Sequence, residues 1–579
     1  MTGGARGAEP GAFASPRIFP LLPALLFLTH ARLLRLPYFW DEAGYYIPAA
    51  RDLLLSGSLI PQTTLSNAHP PLVMAYLALC WKLAGYAPEV TRAAMLVIAA
   101  FALLGLFCLG ERVANIKVAA VSTLLTGLYP VFFAQSSLAH VDLAAAGLIF
   151  WGLSAYVKNQ RWAVVVWFSL AALAKETAIL APLALLAWEV VARFIRVKES
   201  SAAVPAALGR PEAGATIQFP RQGRSSVLLL IPVVPLTLWY AYHYHRTGFV
   251  FGNPEFFHYN VQATLHPLRI LLAFLLRLWQ TVGYMNLSLL TLAALFAMWL
   301  PPLHDEGTHK ERLRIALEVQ FAFLSIIVVY VLAMSIVGGA VLSRYMLPVV
   351  PLVIVVCVST LWRRVRLWTG VAVVVALGFV AGLFVNPPYG FSIEDNLAYR
   401  DYIVLHQHAE QFLEARHPMS RVLTAWPASD ELARPYLGYV TRPMRVVRIE
   451  NFTVEQLMLA SEFRSNYDVA LVFSSKHEPP HALLEHWRLW QEWKKQFFGY
   501  YRDVPPAAAA QLLGGRLVYT ETRKGQWVAV IEVEREYEAR VSGSLRDGES
   551  EAGRDSCQGI GFSRAAQPEE SVLRADAAP

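Results

Sequence analysis

The stretch AAMLVIAAFALLGLFCLG, residues 93–110, decides the class of this protein: eighteen residues carry no charge and lie between Arg92 and Glu111. A helix of about 17–25 residues crosses a hydrocarbon core about 30 Å thick, so this run is long enough to span a bilayer. Comparable spans are predicted near 18–36, 92–111, 117–134, 143–158, 177–196, 227–243, 280–301, 315–336, 345–362 and 368–385. The apolar segment Trp162–Leu173 is shorter, about 18 Å as a helix, and stops at Lys175-Glu176-Thr177. It is expected to be a re-entrant half-span, since irregular backbone at membrane depth is tolerated only inside protein or beside water. Pro70–Tyr86 carries Trp81 and Lys82 and is expected to lie along the interface.

Composition agrees. Of 579 residues, 55% are hydrophobic and 16% charged, against about 45–50% and about 25% in ordinary globular domains. The charges are sparse up to Val385 and of ordinary density after Asn386. A disordered chain, a collagen-like fibre and a disulfide-stapled domain are excluded. Cys80, Cys108 and Cys357 lie in apolar segments and Cys557 in a polar tail, with no CxxC, so neither a disulfide framework nor a cysteine metal site is expected. The net charge of +7 forms no basic stripe, and no nucleic-acid partner is expected.

The basic residues cap the apolar runs, and their asymmetry orients the chain. The loop from Arg193 to Ser226, the 363–366 cluster, and Lys310 with Arg312 and Arg314 all fall on the cytoplasmic side if the N-terminus does. The expected organisation is a cytoplasmic N-terminus (1–17), then an all-α polytopic membrane domain of about 10–12 transmembrane helices (18–385) with an outer loop at 37–91. A small extracytoplasmic α/β domain (386–538) and a disordered tail (539–579) follow. The chain is expected to be a multi-pass protein of the plasma (inner) membrane. In the α/β part, strands are expected at Arg421–Ala425, Val469–Ser474, Arg516–Thr520 and Gln526–Val533, with helices over Leu397–Ala415 and His481–Phe498.

Five places on the outer side combine unusual residues. Asp41 and Glu42 follow an aromatic patch where the chain leaves the bilayer, as either a base or solvated caps of an interfacial belt. His69 precedes two prolines. His140 and Asp142 flank a helix start and converge only on extended backbone, Asp142 being equally suited to cap that helix. Lys175 and Glu176 stand at the tip of the short segment, either neutralising each other or serving a function. Arg344 and Tyr345 open a helix, where Arg344 either binds phosphate or snorkels. Carboxylates, histidines and two separated cations on one face suit a substrate with a phosphate head and a lipid tail.

These motifs resemble those of the GT-C glycosyltransferases: WDEAGYY (40–46), HPPL (69–72), an aspartate at the fourth span (Asp142), LAKETA (173–178) and RYMLP (344–348). Within that superfamily they resemble the bacterial family-39 group, similar to dolichyl-phosphate-mannose protein mannosyltransferases and lipid A aminoarabinose transferases. The resemblance implies transfer of one sugar, with inversion, from a polyprenyl-phosphate donor to a protein, lipid or polysaccharide acceptor at the outer face. It implies Asp41 as catalytic base, with Glu42 as the adjacent alternative, and Lys175, Arg344 and Tyr345 on the donor phosphate side. His69, His140 and Asp142 are supporting residues or ligands of a divalent cation, with metal dependence left open; no organic cofactor is implied.

The chemistry is consistent with these residue types. An acceptor hydroxyl needs a base, whereas a phosphate leaving group needs cations rather than an acid. No Rossmann fingerprint or P-loop is present. The competing expectation is a polytopic lipid or glycolipid transporter or flippase, whose inverted repeats and paired broken helices are not evident in the sequence.

Overall fold

The computed structural model describes residues 18–201, 226–254, 257–258, 261–305, 310–478 and 487–533. The expected N-terminal stretch 1–17 and the tail 539–579 with Cys557 lie outside them. The chain divides into two compact units, Met1–Ile403 with His477–Gly499, and Val404–Lys476 with Tyr500–Pro579.

Among the described residues of the first unit five helices are long and apolar enough to cross a membrane: Pro88–Val113, Glu176–Phe194, Ser226–Thr247, Pro267–Ala297 and Leu317–Ile336. Six shorter apolar helices accompany them: Pro20–His30, Leu72–Ala84, Ile116–Leu128, Val141–Val157, Arg161–Ala174 and Trp368–Phe384. This is the make-up of an integral membrane protein.

Val141–Val157 is buried over nearly its whole surface, as its all-round apolar sequence requires. It packs on Pro88–Val113 and on Arg161–Ala174. Small residues permit this. A Cβ at Gly147 would stand 2.7 Å from the Ala102 side chain, so glycine is what lets the two backbones approach. This trio carries Arg92, Asp142 and Lys175 at or beside its helix ends.

The span expected near 280–301 needs correction. The helix begins at Pro267, is interrupted where Met285 and Asn286 take left-handed backbone (φ 49° and 66°), and resumes over Leu287–Ala297. Two charged residues of this helix, Arg269 and Arg277, are buried. Arg277 donates to the carbonyls of Leu342 (2.6 Å) and Met334 (3.3 Å), and Arg269 to that of Gly339 (3.2 Å). These arginines supply donors to backbone carbonyls left unpaired at and after a helix C-terminus, and so fix the loop that leads to Arg344.

The first compact unit runs to Ile403. The acidic pair Glu394–Asp395 holds this part of the chain to the membrane unit: Arg344 donates to Glu394, Ser343 to Asp395, and Tyr284 Oη to Asp395 at 2.5 Å. Residues 477–499, with the helix Arg488–Phe498, also belong to the first unit; 479–486, the start of the expected His481–Phe498 helix, lie outside the described residues.

The second unit holds a five-stranded sheet, β1 (Arg421–Ala425), β2 (Arg445–Ile449), β3 (Val469–Phe473), β4 (Gly515–Arg523) and β5 (Gln526–Val533), in the order β2-β1-β3-β5-β4. β1 pairs in parallel with β2 and β3, while β5 is antiparallel to β3 and β4. β3, buried throughout, lies at the centre. β2 escapes the sequence because Arg445 and Arg448 break its apolar run, as suits an edge strand.

Candidate active site

The outer loop folds tightly at its acidic start. Trp40 adopts φ 46° and is followed by a single π-helical turn, Glu42–Tyr46. Left-handed backbone at a tryptophan is unusual and stores strain, a feature that clusters at functional sites. Ala68, immediately before His69, is also left-handed (φ 59°).

The two adjacent carboxylates go different ways. Glu42 is fully buried: Arg92 donates to both of its oxygens, and the amides of Phe39 and Ala139 donate to them as well. Arg92 is completed by the carbonyls of Pro37 (2.6 Å) and Ser137 (2.8 Å). Glu42 therefore ties the first loop to the 137–139 turn and takes no part in the cluster around Asp41. Asp41 instead accepts from Arg344, and with 13% of its side chain exposed it is the most open carboxylate on that arginine.

Arg344 is the hub. Its guanidinium also donates to Glu394 and pairs with Asp142 at 3.3 Å. Lys175 donates to Asp142 as well. It can do so because the helix Arg161–Ala174 ends at Lys175 in extended backbone, while Asp142 lies in the first turn of the adjoining helix. Lys175 lies over the Tyr345 ring at 4.0 Å, with Arg277 and Arg344 at 5.4 and 5.7 Å from the ring centre. Thus one aromatic ring meets three cations.

Of the two alternatives for Lys175 and Glu176, mutual ion pairing is not the one seen, since Lys175 donates to Asp142. Glu176 lies 2.8 Å from His69 Nδ1 instead. His140 is the N-cap residue, with Nδ1 2.7 Å from Gln135 Oε1 and 3.2 Å from Arg344 Nη1. Burial, and then Arg344, hold its pKa well below the usual imidazole range, so it is neutral. The Tyr46 ring packs on both imidazoles, His69 at 5.9 Å and His140 at 5.8 Å. Among the described residues, His69, His140 and Asp142 do not converge as metal ligands.

Sequence reasoning missed Glu394 and Asp395. Burial, resisted by Arg344, pushes Glu394 up to about 8. Burial also raises Asp395 to about 6, against the hydrogen bonds from Ser343 and Tyr284. The signal for them was indirect: an arginine beside Asp41 and Asp142 at membrane depth, and two acids just past the last span.

No protein-family model matches the chain, and no curated protein matches it. Among solved structures it is similar to ArnT from Cupriavidus metallidurans bound to undecaprenyl phosphate, with 15% identity over 89% of this chain and 98% of that one and a TM-score of 0.49. It is also similar to an oligosaccharyltransferase of Archaeoglobus fulgidus in complex with Zn and sulfate, with 12% identity over 79% and 68% of the two chains and a TM-score of 0.41.

Proposed function

We propose that this chain is an inverting glycosyltransferase that moves a sugar from a polyprenyl-phosphate donor to an acceptor hydroxyl on the outer membrane face. One observation carries the reading: Arg344 holds Asp41, the most accessible of its carboxylates, in the same cluster as Lys175 and the Tyr345 ring. Cations and a reachable base are what this reaction requires on opposite sides of an anomeric carbon.

The phosphate of the donor takes Arg344 and Lys175, displacing Asp41 from the guanidinium. The freed carboxylate accepts the proton of the acceptor hydroxyl as its oxygen attacks the anomeric carbon. The bond to the phosphate oxygen breaks, and the cations balance the charge left on the lipid phosphate. Glu394, neutral below about pH 8, keeps a hydrogen-bond partner on Arg344 without competing for its charge. Glu42 and Arg92 position the loop that presents Asp41.

The test is transfer of radiolabelled sugar from a polyprenyl-phosphate donor by the purified protein. Donor binding with lipid translocation and no glycosylated product would favour the flippase reading and overturn this one.

A further inference from the structure

The second unit contains a cluster that sugar transfer does not use. His406 and Glu410 lie one turn apart on the helix Ala398–Arg416, and Glu431 lies on the helix Ala428–Ala433, which follows β1. All three side chains are at most 1% exposed. His406 Nδ1 is 2.6 Å from Glu431 Oε2 and 3.7 Å from Glu410 Oε1. One ligand atom from each residue falls within 4.8 Å of the others.

We propose that His406, Glu410 and Glu431 bind a divalent transition-metal ion, zinc by donor chemistry, which clamps these two helices together. Three observations support this. First, the i, i+4 spacing places His406 and Glu410 on one helix face, and Glu431 closes the set from a separate element. Second, donors about 2.0–2.2 Å from a tetrahedral ion stand about 3.4 Å apart, a spacing that these three atoms bracket. Third, neither oxygen of Glu410 accepts a hydrogen bond from an N–H or O–H donor among the described residues, its neighbour being the Glu431 carboxyl, although the side chain is fully buried. An uncompensated buried carboxylate costs several kcal/mol.

No lysine or arginine among the described residues lies within ion-pair distance of Glu410 or Glu431, and the Phe473 ring meets His406 edge-on at 4.5 Å. Two fully buried carboxylates share a single imidazole, and ionising both in such a site needs a cation. A dication neutralises both and leaves the imidazole free to coordinate. One imidazole and two carboxylates form a borderline-to-hard donor set that suits zinc.

The test uses the full-length protein, purified in detergent without chelator and analysed by elemental mass spectrometry. About one zinc per chain is expected. Glu410→Gln and His406→Gln should each lose it, and should lose the rise in melting temperature that added Zn²⁺ gives the chelator-stripped parent. Should either variant fail to fold, the stripped parent and the other variant still decide. A parent that carries no metal and shows no thermal response to Zn²⁺ or Mn²⁺ overturns the proposal. So does zinc that both variants retain. A Glu410→Gln chain that melts higher than a metal-free parent would mark the two acids as a proton-sharing pair.

Discussion

The cluster around Arg344 and the cluster around His406 both bury two or more carboxylates, but they balance them differently. In the first, Arg344, Lys175 and Arg277 gather at the Tyr345 ring, facing Asp41, Asp142 and the Glu394–Asp395 pair. In the second, the described residues offer two acids a single imidazole. Charge supplied by side chains can be exchanged: in the proposed reaction an incoming phosphate takes the place of Asp41 on Arg344. A cluster without its own cation has nothing to exchange and requires either a proton or a metal. The first arrangement suits turnover and the second suits a permanent clamp.

The strongest test of that contrast is Asp41→Asn, which keeps shape but removes the base. General-base assistance contributes about 10²–10⁴-fold, so sugar transfer should fall by that order while donor affinity changes little. Transfer at the parental rate with equal membrane yield would break the assignment.

Glu42→Gln should act on stability instead. Leaving Arg92 buried without its anion costs about 3–5 kcal/mol, visible as a lower melting temperature in detergent. The material that folds should retain more activity than Asp41→Asn. If it instead loses activity with no stability change, Glu42 rather than Asp41 is the base.

A smaller effect is expected at Lys175. A hydrogen bond to a charged group contributes about 1.5–3 kcal/mol, so Lys175→Ala should weaken polyprenyl-phosphate binding by about 10–100-fold, and Lys175→Arg should recover part. Unchanged donor affinity with poor folding would make Lys175 only the partner of Asp142.

The smallest effect is the pH response of Glu394. Its pKa is raised from 4.5 to about 8, so the folded state holds the proton that the unfolded state releases. Stability from this group is therefore full below about pH 4.5 and is lost as pH climbs to about 8. Above about 8 the new anion also competes with phosphate for Arg344, so donor affinity should decline, by less than about tenfold for one partly screened charge. Glu394→Gln should remove both slopes. A pH profile identical to the parent's would show that Glu394 does not titrate there.

What the sequence by itself determined follows from local physics. Apolar runs of bilayer length, such as 93–110, mark the membrane class regardless of neighbours. Strands β1 and β5 match their expected limits because their residues carry a local β signal. The candidate residues Asp41, Asp142, Lys175 and Arg344 stand out because a charge at the edge of an apolar segment needs a reason. Only the tertiary structure decided who pairs with whom. Asp41 and Glu42 are neighbours in sequence, yet one meets Arg344, more than 300 residues away, and the other Arg92. Likewise Lys175 meets Asp142 rather than Glu176, while Arg269 and Arg277 are buried and donate to backbone carbonyls. Burial and ion pairing act through space. A charge in a sequence states only the demand for a partner, and packing decides which residue meets it.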